Sequence, residues 1–267
     1  RAGVHRELLA GARRPPDARV EIPSLRRVEA ELAPWIALPP VAGAVAASAA
    51  CAGEDALLAC TAQVEARALG YVGLAIAHAE VAAEVVLEDG APRGSARVGA
   101  TGLSYGAQRV DRLDVTAAGD AQALDVDVRA AADRSWGHVV ATIEPGATTR
   151  IGLDRVDLLY RPRTGVGGRR TAHRGLRVAL LHPSAVTIGG GDVGIDDLRL
   201  AVNRGVVAVD GRIGASADAD VAIEHVDLAD LGVLALPVRL AGRLDARVGV
   251  HGRLTSPDVA LIADATE

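Results

Sequence analysis

The feature that most constrains the fold of this chain is an alternation of apolar and polar residues with a period of two. The clearest stretch is 240–254, where the even-numbered positions are apolar or glycine and most odd-numbered positions are charged. The same alternation recurs at 124–128, 207–209 and 219–223. Successive side chains of a strand point to opposite faces, so the pattern predicts strands with one apolar and one polar face.

Turn-forming residues separate the alternating stretches. Glycine, proline, asparagine and aspartate cluster at 88–92, 118–120, 144–146, 189–192, 203–205 and 210–211. Each of these residue types favours a turn between strands. Helix is predicted only at 5–14, in a turn that Ser24 would cap, and in a similar turn at 226–231. The predicted class is therefore all-β, with hairpins and a few short helical turns.

One long motif occurs twice in the chain. A strand, a short helical turn, a Leu-Pro pair and a long hairpin with two glycines follow in the same order, and the two glycines have the same spacing in each copy. The motif residues are Leu38-Pro39, Gly43 and Gly53 in the first copy and Leu236-Pro237, Gly242 and Gly252 in the second. The period is long, since the second copy begins near the end of the chain. We therefore expect one β module at 35–235, the end of a preceding module at 1–34 and the start of the next at 236–267.

Such a chain is expected to be part of a longer repeating protein. Its sequence starts without Met and stops within an alternating stretch, so targeting information is expected to lie outside it. In a repeating β protein, function is expected on an extended surface more than in a compact pocket.

The composition suggests a lightly filled interior. The chain has no Phe or Met, and its aromatic residues are only two Trp and three Tyr. Large aromatic side chains usually fill the space between layers, so their scarcity suggests thin sheets. The net charge of −5 is spread over charges of both signs, which argues against nucleic acid as a partner. The longest weakly polar run, 36–52, contains two prolines and a glycine, so no membrane span is predicted.

The two cysteines allow two interpretations. Cys51 and Cys60 flank the turn-like residues 53–55 and could face each other across a hairpin, which would permit a disulfide in an oxidising compartment. Alternatively, both are unpaired small core residues. Two cysteines without nearby histidines are too few for a metal site.

The polar residues do not form a familiar active site. The histidines are scattered, and the glycines at 189–191 lack the Lys-Ser/Thr of a phosphate loop. The carboxylates Asp196 and Asp197, and the trio Asp218, Asp220 and Glu224, are sufficiently explained as a solvated strand face. No catalytic residue, metal or cofactor is predicted, and the chain is not expected to be an enzyme. The basic stretch 161–175 predicts a solvated loop, with attraction of anionic groups as the alternative.

The second half of the chain resembles the TamB (translocation and assembly module) family, which is related to the AsmA-like bridge proteins. The segments that carry the resemblance are Val193–Leu200, Arg204–Gly211, Val226–Leu231, Leu236-Pro237, Leu240–Ala246 and His251–Pro257. Residues 35–140 fit the same scheme more loosely, because Gly53 is followed by Glu-Asp-Ala. The chain is thus similar to an internal fragment of such a protein.

The resemblance implies a long, curved, mostly antiparallel sheet, a half-pipe or β-taco, whose apolar face holds phospholipid acyl chains. It implies a periplasmic location in the cell envelope, tethered to the inner membrane by a segment outside this chain. It also implies a part in outer-membrane protein assembly, with an outer-membrane barrel assembly protein as a further partner.

The alternation suggests which residues would line that apolar groove. The candidates are Val207, Val209, Val221, Ile223, Leu240, Leu244, Val248 and Val250. Two alternatives remain open: these faces pack against another layer, or the chain is a structural or adhesive β-solenoid of a secreted protein with a dry core. A module that offers an open sheet edge to an unfolded strand is a third interpretation.

Overall fold

The structure, a computed structural model, describes residues 17–27, 41–54, 57–106, 108–161, 175–230 and 241–266. Several predictions fall outside these residues: the helix at 5–14, both Leu-Pro pairs, Leu240 and most of the basic stretch. The strands are β1 (Asp17–Ile22), β2 (Val41–Glu54), β3 (Leu57–Tyr71), β4 (Leu74–Glu88), β5 (Ala91–Tyr105), β6 (Gln108–Asp120), β7 (Leu124–Ala132), β8 (Ser135–Glu144), β9 (Thr148–Tyr160), β10 (Leu176–Leu180), β11 (Ser184–Gly189), β12 (Asp192–Val202), β13 (Gly205–Ile213), β14 (Ser216–Asp227), β15 (Arg243–Arg253) and β16 (Ser256–Thr266).

All 16 strands found among the described residues belong to one sheet. Its order follows the sequence, and every strand pair among the described residues is antiparallel. The predicted fold class, a long all-β sheet, is confirmed. The sheet passes through the expected module boundary near residue 235, because β14 on one side pairs with β15 on the other.

The strands β10 and β11 are two halves of one interrupted strand. Both lie between β9 and β12, and each pairs with both neighbours. Residues 181–183 separate them, and Pro183 has no N–H to donate to a neighbouring strand. The proline therefore accounts for the break.

Among the described residues, α-helix is confined to a single turn at 25–27, directly after Ser24. The second expected helical turn begins later than predicted, because β14 continues to Asp227 and only residues 228–230 leave the strand. No helix in the described part of the chain is long and apolar enough to cross a membrane.

Two β-bulges follow the same design. In β12 the N–H of Asp197, which has φ 43°, donates to Oδ2 of Asp210 at 2.9 Å. In β14 the N–H of His225, with φ 55°, donates to Oδ1 of Asp245 at 2.8 Å. Each bulge inserts a residue into one strand, so apolar residues three positions apart, such as Ile195 and Leu198, lie on the same face.

The turn predicted at Asp210-Gly211 is wrong, because both residues lie inside β13. Asp210 accepts the bulge N–H described above, and Gly211 has φ 135°. A Cβ at Gly211 would collide with the carbonyl oxygen of Asp218 on β14. A glycine within a strand often marks a bulge or a close backbone approach. Gly211 does both, because it lies beside the bulge of β12 and close to the backbone of β14.

The repeat seen in the sequence is also a repeat of strand register. In the first hairpin Cys51 is paired with Cys60, and in the second Val250 is paired with Val259. These two pairs occupy equivalent positions of the two copies. The first glycine of each copy also has a similar backbone conformation, since Gly43 has φ 119° and Gly242 has φ 99°. The hairpins β2–β3 and β15–β16 are thus copies of one unit.

Cys51 and Cys60 form a disulfide between directly opposed positions of β2 and β3. Of the two interpretations left open by the sequence, the structure supports the cross-linked hairpin. The bridge closes a short loop, because the two cysteines are nine residues apart.

Candidate functional site

The apolar residues of β12 to β16 lie on one face of the sheet. Residues directly opposite each other in an antiparallel pair share a face, so the register defines rows that cross the strands. One such row consists of Leu198, Val209, Val221, Val248 and Leu261. Every member is apolar, so the face is continuous across five strands.

Seven of the eight groove candidates lie on this face. Val207 is opposite Ile223 and Val209 is opposite Val221, while the β15 candidates are Leu244, Val248 and Val250. All seven are partly exposed. The eighth, Leu240, lies outside the described residues. The structure therefore brings the predicted residues together, and what they bind stays a prediction.

The apolar face extends through the first half of the chain, where no groove residue was predicted. A second row crosses β1 to β9 at one height, and we call it the valine ladder. Its members are Val20, Ala47, Val64, Val81, Val98, Val115, Val128, Val139 and Val156. The ladder carries the apolar surface across the first nine strands of the sheet.

A signal for this ladder was present in the sequence. Val64, Val81, Val98 and Val115 are equally spaced along the chain, and their interval equals one strand and its turn in this part of the sheet. Because the spacing is equal, each valine lies directly opposite the next one on the neighbouring strand. The repeat that marks this row has the length of one strand and its turn, and it is much shorter than the repeat of the Leu-Pro motif.

No second layer of described residues covers the apolar face. Extensive contacts between strands join only hydrogen-bonded neighbours. The least exposed side chains of the face are small, such as Ala217 (2 % exposed) and Ala100 (5 %), with Val226 at 3 %. Most of the larger valines and leucines in the middle of the sheet are half-buried, and those of the edge strands, such as Val20 and Leu261, are exposed. The face is thus a lightly enclosed apolar surface, consistent with the scarcity of aromatic residues.

The opposite face is polar and carries ion pairs within single strands. Arg67 contacts Glu65, Arg112 contacts Asp114, and Arg129 contacts Asp127, in each case two positions apart on the same strand. Residues at this spacing point to the same side of a strand. Exposed pairs of this kind contribute little to stability. Their charged groups make this face hydrophilic.

Asp114 and Asp127, two of the carboxylates of the polar face, have lowered pKa values. The hydrogen bond from Arg112 is the main cause for Asp114, and the hydrogen bond with His138 is the main cause for Asp127, at 3.0 Å. Both groups therefore remain ionised near neutral pH. A general acid or base needs a pKa near the working pH, so neither has the property that proton transfer would require.

The acidic trio predicted to share a face does so. Asp218 and Asp220 lie opposite His251 and Gly249, and Glu224 lies opposite Val206 on the same side of the sheet. Nδ1 of His251 is 2.8 Å from Oδ1 of Asp218. Among the described residues, no group of three or more His, Cys, Asp or Glu side chains is arranged to hold a metal ion.

Comparison of the chain with protein-family models, with curated proteins and with solved structures finds no match.

Proposed function

We propose that this chain is a segment of a protein of the cell envelope that carries phospholipid acyl chains along its apolar sheet face, between two membranes. The observation that supports the proposal most is the register, which joins the apolar positions of neighbouring strands into continuous rows. A surface of this kind suits a ligand that is long, flexible and apolar.

The expected driving force is burial of methylene groups. Each buried methylene contributes about 0.8 kcal/mol, so a chain of several methylenes is held along the face without any polar contact. Valine and alanine recur along the rows, so neighbouring positions offer similar affinity and movement between them meets low barriers. Transport of this kind needs no catalytic residue, and we propose that the chain is not an enzyme and has no cofactor.

The disulfide supports a periplasmic location. Disulfides persist in oxidising compartments such as the bacterial periplasm and are rare in the cytosol. The cross-linked hairpin lies inside the sheet, between β1 and β4. An envelope-spanning protein would pass through such a compartment.

The antiparallel pairing favours this function over the structural or adhesive solenoid. The solenoids in question stack successive coils so that their strands run parallel, whereas the strand pairs described here are antiparallel hairpins. A dry core would also need a second layer over the apolar face, and the described residues supply none.

A role in outer-membrane protein assembly is a second candidate, favoured by the edge strand β16. Within the described residues β16 pairs only with β15, and Leu261 is 66 % exposed. An unpaired strand edge can accept a strand from a partner, and an outer-membrane barrel assembly protein would supply strands. Crosslinks from Asp258 or Ile262 to a barrel protein would support this second role.

Photo-crosslinking tests the lipid proposal. A photoreactive amino acid at Val248, on the apolar face, is expected to crosslink phospholipid in cells that produce the full-length parent protein. The neighbouring position Arg247 is a matched control, because it belongs to the same strand but faces the polar side. Equal lipid crosslinking at both positions, or none at Val248, would reject the proposal.

A substitution separates lipid holding from folding. Val248→Arg is expected to reduce the amount of co-purified phospholipid, because it places a charge on the apolar face, while the β-sheet circular dichroism spectrum is retained. Loss of the sheet spectrum would instead show that Val248 belongs to a packed core.

A further inference from the structure

The two long rims of the sheet differ in their chemistry. One rim is formed by the ends of the odd-numbered strands β3, β5 and β9 and by the start of β8. Four of the five aromatic residues of the chain lie on it: Tyr71, Tyr105, Trp136 and Tyr160. The fifth, Trp35, lies outside the described residues. We call this edge the aromatic rim.

The aromatic side chains are well exposed. Tyr105 is 66 % exposed, Tyr71 50 %, Trp136 40 % and Tyr160 38 %. The three tyrosine hydroxyls make no hydrogen bond to any described residue. They are therefore not satisfying a buried polar network among those residues, and each side chain presents an apolar ring with a polar tip.

Arginines accompany the aromatic residues on this rim. Arg134 lies beside Asp133 in the turn before Trp136, and Arg161 directly follows Tyr160; both arginines are exposed. The opposite rim carries Glu88, Asp89 and Glu144 at its turns, together with Arg253 at the end of β15, and no aromatic residue among those described. Aromatic residues and positive charge therefore coincide on one edge only.

We infer that the aromatic rim binds the headgroup region of an anionic phospholipid surface. Tyr and Trp are enriched where one end of a side chain is apolar and the other is wet, as at membrane interfaces. Arginine near an anionic surface adds electrostatic attraction. The rim extends over six strand steps from β3 to β9, about 29 Å at the usual strand spacing. That is long enough to contact several headgroups at once.

The inference goes beyond the proposed function, and each can fail alone. Acyl-chain holding depends on the apolar face and is tested at Val248. Surface binding depends on the rim and needs no extracted lipid.

Tryptophan fluorescence provides the main test. In the Trp35→Tyr variant of the chain, Trp136 is the sole tryptophan. Vesicles of phosphatidylcholine and phosphatidylglycerol at 3:1 are expected to shift its emission to the blue, and brominated acyl chains in the same vesicles are expected to quench it. Pure phosphatidylcholine vesicles are expected to have a much weaker effect.

The opposite rim supplies a matched control. Leu57 starts β3 at the opposite rim and is 49 % exposed. With Trp35→Tyr and Trp136→Tyr in place, Leu57→Trp puts the sole tryptophan there, and no blue shift is expected. An equal shift at the two rims, or no shift of Trp136, would overturn the inference.

Charge variants test the arginines. Arg134→Gln with Arg161→Gln is expected to weaken vesicle binding about thirty-fold, given the usual contribution of each arginine near an anionic surface. Arg93→Gln with Arg253→Gln, on strands of the opposite rim, is expected to leave binding unchanged. Equal weakening by both pairs would show a general charge effect and contradict a rim-specific contact.

Discussion

The hairpins β2–β3 and β15–β16 share one register but differ in their surroundings. In the first, β3 lies between two strands and Ala66 is 6 % exposed; in the second, β16 has one described neighbour and Val259 is 61 % exposed. Cys51 and Cys60 of the first copy are replaced by Val250 and Val259 in the second. The same pattern thus specifies pairing in both copies, while the neighbouring strands decide how much each residue is buried.

The difference also shows how the two copies are held together. The first hairpin is stabilised by two flanking strands and a covalent bridge, and the second by one flanking strand and a valine pair. Four sets of substitutions test this comparison. Burial, the bridge and the surface charges are expected to contribute to the difference in that order, and the positive-φ glycines are expected to act alike in both copies.

The largest expected change in the free energy of unfolding is at the buried residue Ala66. Ala66→Glu places a charge at a site that β2 and β4 enclose, and we expect the free energy of unfolding to fall by about 3 kcal/mol. Ala265→Glu changes the equivalent residue of β16, which is exposed, and is expected to cost less than about 0.5 kcal/mol. Denaturant unfolding followed by circular dichroism measures both. Equal losses would show that β16 is as enclosed as β3.

Removal of the disulfide is expected to cause the second-largest loss in the free energy of unfolding. Cys51→Val with Cys60→Val installs the second-copy residues in the first hairpin, and a loop of about ten residues predicts a loss of about 2 to 3 kcal/mol. The reverse exchange, Val250→Cys with Val259→Cys, is expected to form a bridge, because the register is the same. Thiol titration checks bridge formation, and thermal unfolding with and without reductant checks stability. Free thiols in the reverse variant would show that the registers differ.

The positive-φ glycines are expected to respond alike in the two copies. Gly43 and Gly242 both have positive φ, and a Cβ at Gly43 would lie 2.8 Å from the carbonyl oxygen of Arg67. Alanine at either site is expected to lower the free energy of unfolding by about 1 to 2 kcal/mol, as denaturant unfolding would measure. Gly99→Ala is the control, since a Cβ there would meet nothing within 4 Å. A large loss of unfolding free energy for Gly99→Ala would show that alanine destabilises these strands for a reason other than the positive φ of the glycine.

Much of this fold follows from local patterns in the sequence. Alternation at 240–254 predicted strand β15 and its apolar face, and the turn residues at 189–192 and 203–205 predicted two of the hairpin turns. The facing of Cys51 and Cys60 was also one of the two interpretations, because the hairpin geometry is local. These features depend on neighbours in the chain and on the period of a strand.

Other features depended on pairing between strands and could not be derived locally. Asp210-Gly211 has the composition of a turn, yet the N–H of Asp197 and the backbone of β14 place it beside a bulge. The valine ladder needs the register of nine strands, although its regular spacing was visible. The aromatic rim depends on strand direction, since Tyr71 and Tyr160 share an edge only because both end odd-numbered strands.

The smallest expected effect concerns surface charge. Arg67 contacts Glu65 on β3, and the equivalent second-copy residues are Thr266 and Asp264 on β16. Side chains that are 71 % and 40 % exposed gain little from pairing in water. Arg67→Thr is therefore expected to change the free energy of unfolding by no more than about 0.5 kcal/mol, measured by denaturant unfolding at low and high salt. A loss above about 1 kcal/mol would place part of the difference between the hairpins in their charges. If the loss stays small, the burial of β3 and the covalent bridge account for most of that difference.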